Sequence, residues 1–486
     1  MPLSRTKICV AFLLAGTALA SPAQAQVKPT NEQLETRVER LEALLNKVIE
    51  RLDRSGATLT PGEAQTVRDA RGVVSGAAPS PAGSVVVAQD QQGNAQAAAG
   101  APSFAARVEA LEKSQGLGFR VGGSTIRIGG YFKTDVVASK YSDGDPPPGT
   151  FIRNYYSPAG IPVGNTALAG RNAREGLQTT FSSRETRFSI NTETPIGDEK
   201  LLGVLELDFF DTPIIGNERV SNSFVPRIRQ AYLSYGKWTI GETWSTFQNV
   251  ATLPERVDFI GPTEGTIFQR QPLIRYTDGD FQIALENPET TVQQGVTSLE
   301  ADDDRVPDVV ARYNAKGDWG SAAIAAIGRY LNYDAGVPGG VKDSALGYGV
   351  SLSGVLKVGK ADNFNFMLSG GKGIGRYVGL NLRDDVVVGA DRRLDTIGII
   401  AGFASYRHFW NPQTRSVLTG SYYRAYNPAF AGLFVTNNVG SVSFDTFYSP
   451  IKPLTLGLGY RYGRRELENE ESGDLNRLQF SAQYNF

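Results

Sequence analysis

Alternation of apolar and polar residues dominates this chain from residue 119 to residue 486. The last ten residues show it clearly, because one parity is apolar and carries Leu478, Phe480, Ala482, Tyr484 and Phe486. A period of two residues predicts a β-strand with one apolar face and one wet face. The region is therefore predicted to fold as β-structure almost throughout.

The connections between these strand-like segments alternate between short and long. Seven short connections lie at 195–200, 236–237, 278–280, 315–318, 359–362, 411–414 and 449–453. Eight longer ones lie at 140–180, 211–225, 245–267, 288–305, 331–344, 375–394, 427–435 and 466–473. Membrane barrels show this asymmetry, and closure leaves no strand edge exposed to lipid. We predict an all-β, transmembrane antiparallel barrel of about 16 strands over residues 119–486.

The start of the chain predicts export. Residues 1–25 read as a signal peptide, with Arg5 and Lys7 before an apolar segment and Ala23-Gln24-Ala25 at the cleavage site. The single cysteine, Cys9, lies inside this peptide, so the exported chain is expected to contain neither disulfides nor thiolate sites. Loss of Arg5 and Lys7 takes the formal charge from −1 to −3, which indicates nothing about solute charge.

Three segments separate the signal peptide from the barrel. Residues 26–54 predict a periplasmic α-helical coiled coil, because apolar residues recur in steps of four and three at Leu34, Val38, Leu41, Leu45, Val48 and Leu52. An amphipathic helix packed on its own protein is the alternative. Residues 55–103 are rich in Gly, Ala, Pro, Ser and Gln and predict a flexible low-complexity linker. Residues 104–118 predict a short helical segment that is too short to be stable alone.

Strand parity places a group of basic side chains on the inward face of the barrel. The first, second, fifteenth and sixteenth strands, which become neighbours on closure, carry Lys133, Arg187, Arg461 and Arg477. Arg465 lies nearer the outer mouth of this basic wall, and Arg275 and Arg312 face inward from other strands.

The third long loop, at about 245–267, carries acidic residues that can face the basic wall. They are Glu255, Asp258 and Glu264. A channel selects by its width and by the charges that line it, so we predict that the basic residues, with Glu255 and Asp258, line a pore and contact the solute. The alternative is that each arginine pairs with an acid on an adjacent strand and only stabilises the wall.

Catalytic, metal and cofactor sites are not expected. A serine hydrolase would have to use His408, the only histidine, which is better explained as a hydrogen-bonding residue of the wall or a turn. The acidic run 302–304 lacks the spacing of a calcium loop. No helix is predicted after the glycines at 371, 373 and 375, so they do not form a nucleotide-binding loop.

Six segments of the barrel resemble the DcaP-like porins, a group within the general trimeric porins. They are RQAYLSYG at 229–236, IGETWSTF at 240–247, RQPLIRY at 270–276, GIGRY at 373–377, YRHFW at 406–410 and GYRYGRRE at 459–466. The resemblance implies a homotrimer of barrels with a periplasmic coiled coil, a third loop folded into each lumen, and dicarboxylates as solutes. The long linker at 55–103 departs from the family pattern.

Together these features predict a pore in the outer membrane of a Gram-negative bacterium for small hydrophilic, preferably anionic solutes such as dicarboxylates. The expected partners are other copies in a homotrimer, membrane lipids and small anions, with peptidoglycan or other periplasmic contacts through the coiled coil and no nucleic acid. Three alternatives remain: a barrel that mainly anchors a structural coiled coil, a general porin without anion preference, and an outer-membrane hydrolase.

Deletion of residues 26–115 tests which part of the chain holds the oligomer together. We expect the truncated protein to remain a heat-modifiable trimer, because the resemblance implies contact between the barrel walls. Native electrophoresis and mass measurement of the truncated protein give the subunit number. A monomeric truncated barrel would show that the coiled coil makes the oligomer.

Overall fold

The computed structural model describes residues 118–146, 150–164, 176–210 and 224–486. The signal peptide, coiled coil and linker predicted at 1–25, 26–54 and 55–103 lie outside the described residues, as does all but the last residue of the helical segment predicted at 104–118. No helix in the described part of the chain is long and apolar enough to cross a membrane.

The described residues form 22 β-strands and several short 3-10 turns. The strands are β1 (Phe119–Val121), β2 (Ser124–Tyr141), β3 (Gln178–Ser182), β4 (Arg187–Ile196), β5 (Glu199–Asp208), β6 (Arg227–Tyr235), β7 (Trp238–Trp244), β8 (Arg270–Asp278), β9 (Phe281–Glu286), β10 (Thr291–Gln294), β11 (Thr297–Glu300), β12 (Asp308–Gly317), β13 (Gly320–Asp334), β14 (Lys342–Val358), β15 (Asp362–Lys372), β16 (Val386–Val388), β17 (Leu394–Thr396), β18 (Gly398–Phe409), β19 (Thr414–Tyr426), β20 (Thr436–Ile451), β21 (Leu454–Leu467) and β22 (Ser472–Asn485).

One antiparallel sheet of 18 strands closes on itself. Its first long strand, β2, pairs with its last, β22, from Tyr131↔Asn485 to Tyr141↔Leu475. The arm β1 lies on the edge of β2, and β3 and β4 share one place in the wall because both pair with β2. Sixteen wall strands remain, which confirms the predicted all-β antiparallel barrel of about 16 strands.

Seven short turns and eight longer connections join the wall strands. The turns contain two to four residues and lie at one end of the barrel, as the register of each hairpin shows. The predicted alternation of short and long connections is confirmed.

Burial alternates along the wall strands with the predicted period of two. In β22, Leu478 and Phe480 are exposed, whereas Arg477 and Gln479, which alternate with them, are buried. Outward aromatic residues lie near both ends of the strands: Trp238, Tyr276, Trp319, Tyr406 and Tyr448 towards the short turns, and Tyr330, Tyr348, Tyr422, Tyr426 and Tyr462 towards the long loops. Two aromatic girdles of this kind are typical of a barrel that sits in a membrane.

Two of the long loops form a separate four-stranded sheet in the order β11-β10-β16-β17. Strands β10 and β16 run parallel and pair at Val292↔Val386. Both valines are buried with Leu394 against Leu331 and Tyr333 of the wall strand β13. The loops that follow β9 and β15 are therefore joined to each other and to the wall.

The last residue of the chain completes the closing pair of strands. The amide of Phe486 donates to the carbonyl of Gly130 at 3.0 Å, and the amide of Gly130 donates back at 3.1 Å. The Phe486 ring stacks on Phe132 with centroids 4.9 Å apart and lies 5.8 Å from Phe188. Glycine is required at position 130, because a Cβ there would lie 2.1 Å from the carbonyl oxygen of Arg187.

Replacement of Phe486 by serine should sharply reduce the folded barrel recovered from membranes, because the closing strand loses its aromatic contacts with Phe132 and Phe188. Electrophoresis of membrane fractions with and without heating measures this amount. Phe434→Ser, at an exposed loop position, is the matched control. Equal membrane levels of the two variants would contradict the assignment.

Candidate functional site

The connection between β7 and β8, residues 245–269, turns into the barrel. The side chain of Asn365 on β15 donates to the carbonyl of Thr252 at 3.1 Å. Further along, the carbonyl of Val257 accepts from Lys133 of β2 at 2.8 Å and from Gln479 of β22 at 3.3 Å. This third long loop therefore contacts wall strands on different sides of the interior.

The returning half of the third loop packs directly on β18 and β19. A Cβ on Gly265 would lie 2.3 Å from the carbonyl oxygen of Gly402, so the two backbones are in close contact. Glu264 is fully buried and accepts a hydrogen bond from the hydroxyl of Ser421. The loop thus narrows the interior from this side.

Glu255 anchors the third loop near the short-turn end of the barrel. Its carboxylate accepts two hydrogen bonds from Arg415, one of them at 2.7 Å, and lies 3.6 Å from Arg407. Glu255 is predicted to face the basic wall, but its partners Arg407 and Arg415 lie on β18 and β19, outside that wall. Neither arginine was predicted, although both have the inward parity of their strands.

Asp258 shapes the loops instead of presenting a free carboxylate to the interior. Its oxygens accept from the backbone amides of Tyr156, Ile260 and Gly261 at 2.7, 3.1 and 3.0 Å. Asp258 therefore has a capping role that joins the first and third long loops, next to the contact of Val257 with Lys133.

Arg275 and Arg312 hold the beginning of the third loop. Arg275 donates to the hydroxyl of Thr246 at 2.8 Å and to the carbonyl of Trp244. Arg312 donates to the carbonyl of Gln248 at 2.6 Å. Both side chains point inward, as predicted, and both donate to the loop or its root, while Arg312 Nε has no hydrogen-bond partner among the described residues.

Lys133 and Arg187 follow the structural alternative in which a basic residue pairs with acids of the wall. Lys133 is ion-paired with Glu185 and lies 3.4 Å from Asp135. Arg187 lies 3.7 Å from Glu206, with its guanidinium 5.2 Å from the centre of the Tyr131 ring.

Three inward arginines on β21 and β22 bind only neutral groups among the described residues. We call Arg461, Arg465 and Arg477 the basic row. Each donates to a hydroxyl group at 2.9 to 3.0 Å, and Arg477 Nη1 is buried without a hydrogen-bond partner. Arg461 and Arg477 are direct cross-strand partners with side chains on the same face.

Residues 150–164 of the first long loop lie against the basic row. The Tyr156 ring is 4.4 Å from the guanidinium carbon of Arg461. The carbonyls of Ile152 and Ala159 accept from Arg477 and Arg465 at 3.1 and 3.0 Å. This contact was not predicted, although the largely apolar segment 155–163 is a signal for burial.

Arg329 of the wall strand β13 and Arg383 of the loop after β15 add further links that were not predicted. Arg329 bridges Asp308, at 3.0 Å, and Asp385, at 2.7 Å, which ties the loop after β15 to the wall. Arg383 in that loop donates to Asn427 at 2.7 Å, and burial lowers the pKa of its guanidinium below the ordinary value.

His408 lies at the short-turn end, where its Nδ1 is 2.7 Å from Asp362 and Trp410 packs edge-on against its ring. The amide of Phe409 donates to the same carboxylate at 2.9 Å. Within the described ranges, no group of three or more His, Cys, Asp or Glu side chains is placed to hold a metal ion.

Residues 160–486 match the sequence profile of a family described as DcaP outer membrane protein. The chain belongs to this family. The fold resembles the crystal structure of the outer membrane channel DcaP of Acinetobacter baumannii, with a TM-score of 0.64, 21% identity, and coverage of 76% of this chain and 99% of that one.

Two further structures are similar at lower scores. An anion-selective porin from Comamonas acidovorans has a TM-score of 0.46 and 11% identity, with 75% of this chain and 100% of that chain covered. OmpT of Vibrio cholerae has a TM-score of 0.45 and 11% identity, with 76% and 100% covered. No curated protein matches the chain. Family membership confirms the resemblance seen in the sequence and supports an outer-membrane location.

Glu255→Gln should loosen the third loop of this DcaP family member. Removing one partner of a buried ion pair costs about 3–5 kcal/mol, because the other charge is left buried. We expect amide hydrogen exchange in residues 245–269 to become more than about tenfold faster in the folded barrel. Hydrogen-exchange mass spectrometry measures this rate. Glu199→Gln, at the exposed first residue of β5, should change nothing there, and an unchanged rate in Glu255→Gln would show that the ion pair is not the anchor.

Proposed function

We propose that this protein is an outer-membrane channel for small hydrophilic solutes and that it prefers anions, dicarboxylates in particular. The closed barrel, the family and the fold shared with a known outer membrane channel support the channel. The basic row supports the anion preference, because inward charge is what a channel uses to select among solutes. Solutes cross by diffusion, and no catalytic step is part of the proposal.

The observation that carries the anion preference is the pairing of Arg461 with Arg477 across two adjacent strands. Like charges directly opposite each other destabilise a sheet. Neither guanidinium has a carboxylate as its hydrogen-bond partner among the described residues, and Arg477 Nη1 has no partner at all. An anion in the passage near the two side chains relieves this repulsion through their electrostatic field, whereas a cation increases it.

The third arginine of the row explains a preference for two carboxylates over one. Arg465 follows Arg461 by four residues on β21, so the two share a face and lie roughly 13 Å apart along the strand. A dicarboxylate engages one guanidinium before it leaves the other. The charges act over about 8 Å at physiological salt, so the narrowing made by the first and third loops is needed to keep the solute within their reach.

The acidic residues of the third loop enter this proposal indirectly. Glu255 and Asp258 hold the loop that sets the width, and Lys133, Arg187, Arg275 and Arg312 hold the wall and the loop root. The basic row is therefore the group of charges that acts on the solute. We also propose that three copies assemble in the outer membrane with residues 26–54 as a periplasmic coiled coil able to contact peptidoglycan.

Changing Arg461 and Arg477 together to Gln should shift the reversal potential in a salt gradient towards cation preference and lower succinate flux severalfold. Planar-bilayer recording measures the first quantity, and uptake into proteoliposomes the second. Lys140→Gln, an exposed cation on the outward face of β2, is the control and should leave both values unchanged.

The same recordings separate the competing functions. A general porin would carry succinate and a neutral sugar of similar size equally well, before and after the double change. A barrel that serves mainly as an anchor would show little conductance. A cation-selective wild-type pore, or a double variant that matches it, would mean that the basic row is structural.

A further inference from the structure

A concave site separate from the basic row lies beside the barrel wall. It is a cavity of about 370 Å³ at the root of the third loop, bordered by β6, β7, β8 and the first loop. Its lining includes four aromatic rings and two guanidinium groups, which belong to Tyr155, Phe210, Phe259, Phe268, Arg227 and Arg270. The volume lies within the roughly 300–1,000 Å³ range of small-ligand sites.

The cavity exists because the sheet opens where the third loop leaves the wall. The pairing of β6 with β7 begins at Tyr235↔Trp238 and ends at Ala231↔Glu242. Beyond this point β7 continues to pair with β8, up to Trp244↔Arg270, while the first residues of β6 pair only with β5. A gap is left between β6 and β7, and the cavity lies in this gap.

Arg270 supplies a buried cationic donor at the cavity wall. Its guanidinium carbon is 5.0 Å from the centre of the Trp244 ring and 6.0 Å from that of Phe268. The Nη1 atom is buried without a hydrogen-bond partner among the described residues. A charged donor held in this way is costly unless an acceptor reaches it.

The acids nearest to this part of the wall are already occupied. Asp208 accepts from Arg227 at 2.7 Å and from Arg229 at 2.6 Å, and Glu206 accepts from Arg229 at 2.7 Å. Glu242 is the carboxylate in the cavity lining, and the guanidinium groups of Arg227 and Arg270 belong to the same lining. Arg227 is bound to Asp208, whereas Arg270 is not bound to an acid among the described residues.

The apolar part of the cavity is built as a compact aromatic cluster. The rings of Phe210 and Phe259 have centroids 4.4 Å apart, and Tyr155 packs edge-on against Phe210 at 5.5 Å. Ile260, Phe268 and Leu380 belong to the same cluster. One end of the cavity is therefore cationic and the other is aromatic.

We propose that this cavity binds an amphipathic monoanion, with the anionic group on Arg270 and an aromatic or short apolar body against Phe210, Phe259 and Phe268. A carboxylate there supplies the acceptor that Arg270 Nη1 lacks and keeps its apolar portion away from water. The site is separate from the basic row and takes a different class of ligand, so it stands whether or not the channel prefers dicarboxylates.

Trp244 makes the site accessible to a direct test with the full-length oligomer in a neutral detergent. The probe is 2-naphthoate, with the uncharged 2-naphthalenemethanol as its match. We expect naphthoate to quench tryptophan emission saturably, and Trp244→Phe to remove most of that change. Arg270→Gln should weaken naphthoate binding about tenfold or more and leave the alcohol unaffected, whereas Arg270→Lys should retain part of the affinity.

Three results would overturn the proposal. The first is equal binding of naphthoate and the alcohol, and the second is an unchanged affinity in Arg270→Gln. The third is binding to dissociated subunits but not to the intact oligomer, which would mean that a second copy of the chain fills the cavity.

If Arg270→Gln does not fold, Phe210→Ala should weaken the binding of both probes. Arg461→Gln with Arg477→Gln should leave naphthoate binding unchanged, so failure here is distinguishable from failure of the channel proposal.

Discussion

The pairing of β2 with β22 is the constraint on which the remaining structure depends. Backbone groups have no water to bind inside a bilayer, so a spanning sheet has to satisfy them by closing on itself. The first and last long strands share an eleven-residue register from Tyr131 to Tyr141, and the terminal residue Phe486 extends it through Gly130. Closure fixes which side chains face inward on all sixteen wall strands, and hence which charges can meet inside.

Arginine side chains join the loops and the wall inside the closed barrel. Several guanidinium groups bind loop carbonyls, as Arg312 does at Gln248 and Arg465 at Ala159, while others pair with wall acids, as Arg229 does with Asp208. A planar group with five donors suits both tasks, because it can bind several acceptors in one plane. The loops and the wall are thereby joined by hydrogen bonds inside the barrel. Among the described residues, the basic row is a group of neighbouring guanidinium groups without a directly bound acid.

Much of the fold could be predicted from the sequence because it depends on local sequence patterns. Period-two alternation gave the parity of β22, and the contrast of short and long connections gave the strand number. The pairing of β10 with β16 could not be predicted, since it joins two loops far apart in the sequence through two residue pairs with no periodic signal.

The site was predicted only in outline for the same reason. Parity correctly placed Lys133 and Arg477 inside the barrel, but it does not say which acceptor each inward side chain finds. The partners of Glu255 and Arg275 lie across the interior or within the third loop, and their choice depends on the path of that loop. Loop paths follow from long-range packing, for which the sequence offers only hints such as the apolar run at 155–163.

The carbonyl of Val257 bears on how such a barrel assembles. It accepts from Lys133 on one side of the closing seam and from Gln479 on the other, so the third loop bridges the seam from within. The two donors come together only when the last hairpin pairs with the first strand. The loop itself leaves the wall between the fifth and sixth wall strands, so the contact joins the middle of the wall to its seam. A barrel whose seam is open cannot hold the carbonyl of Val257 from both sides, and the loop that narrows the passage loses that support.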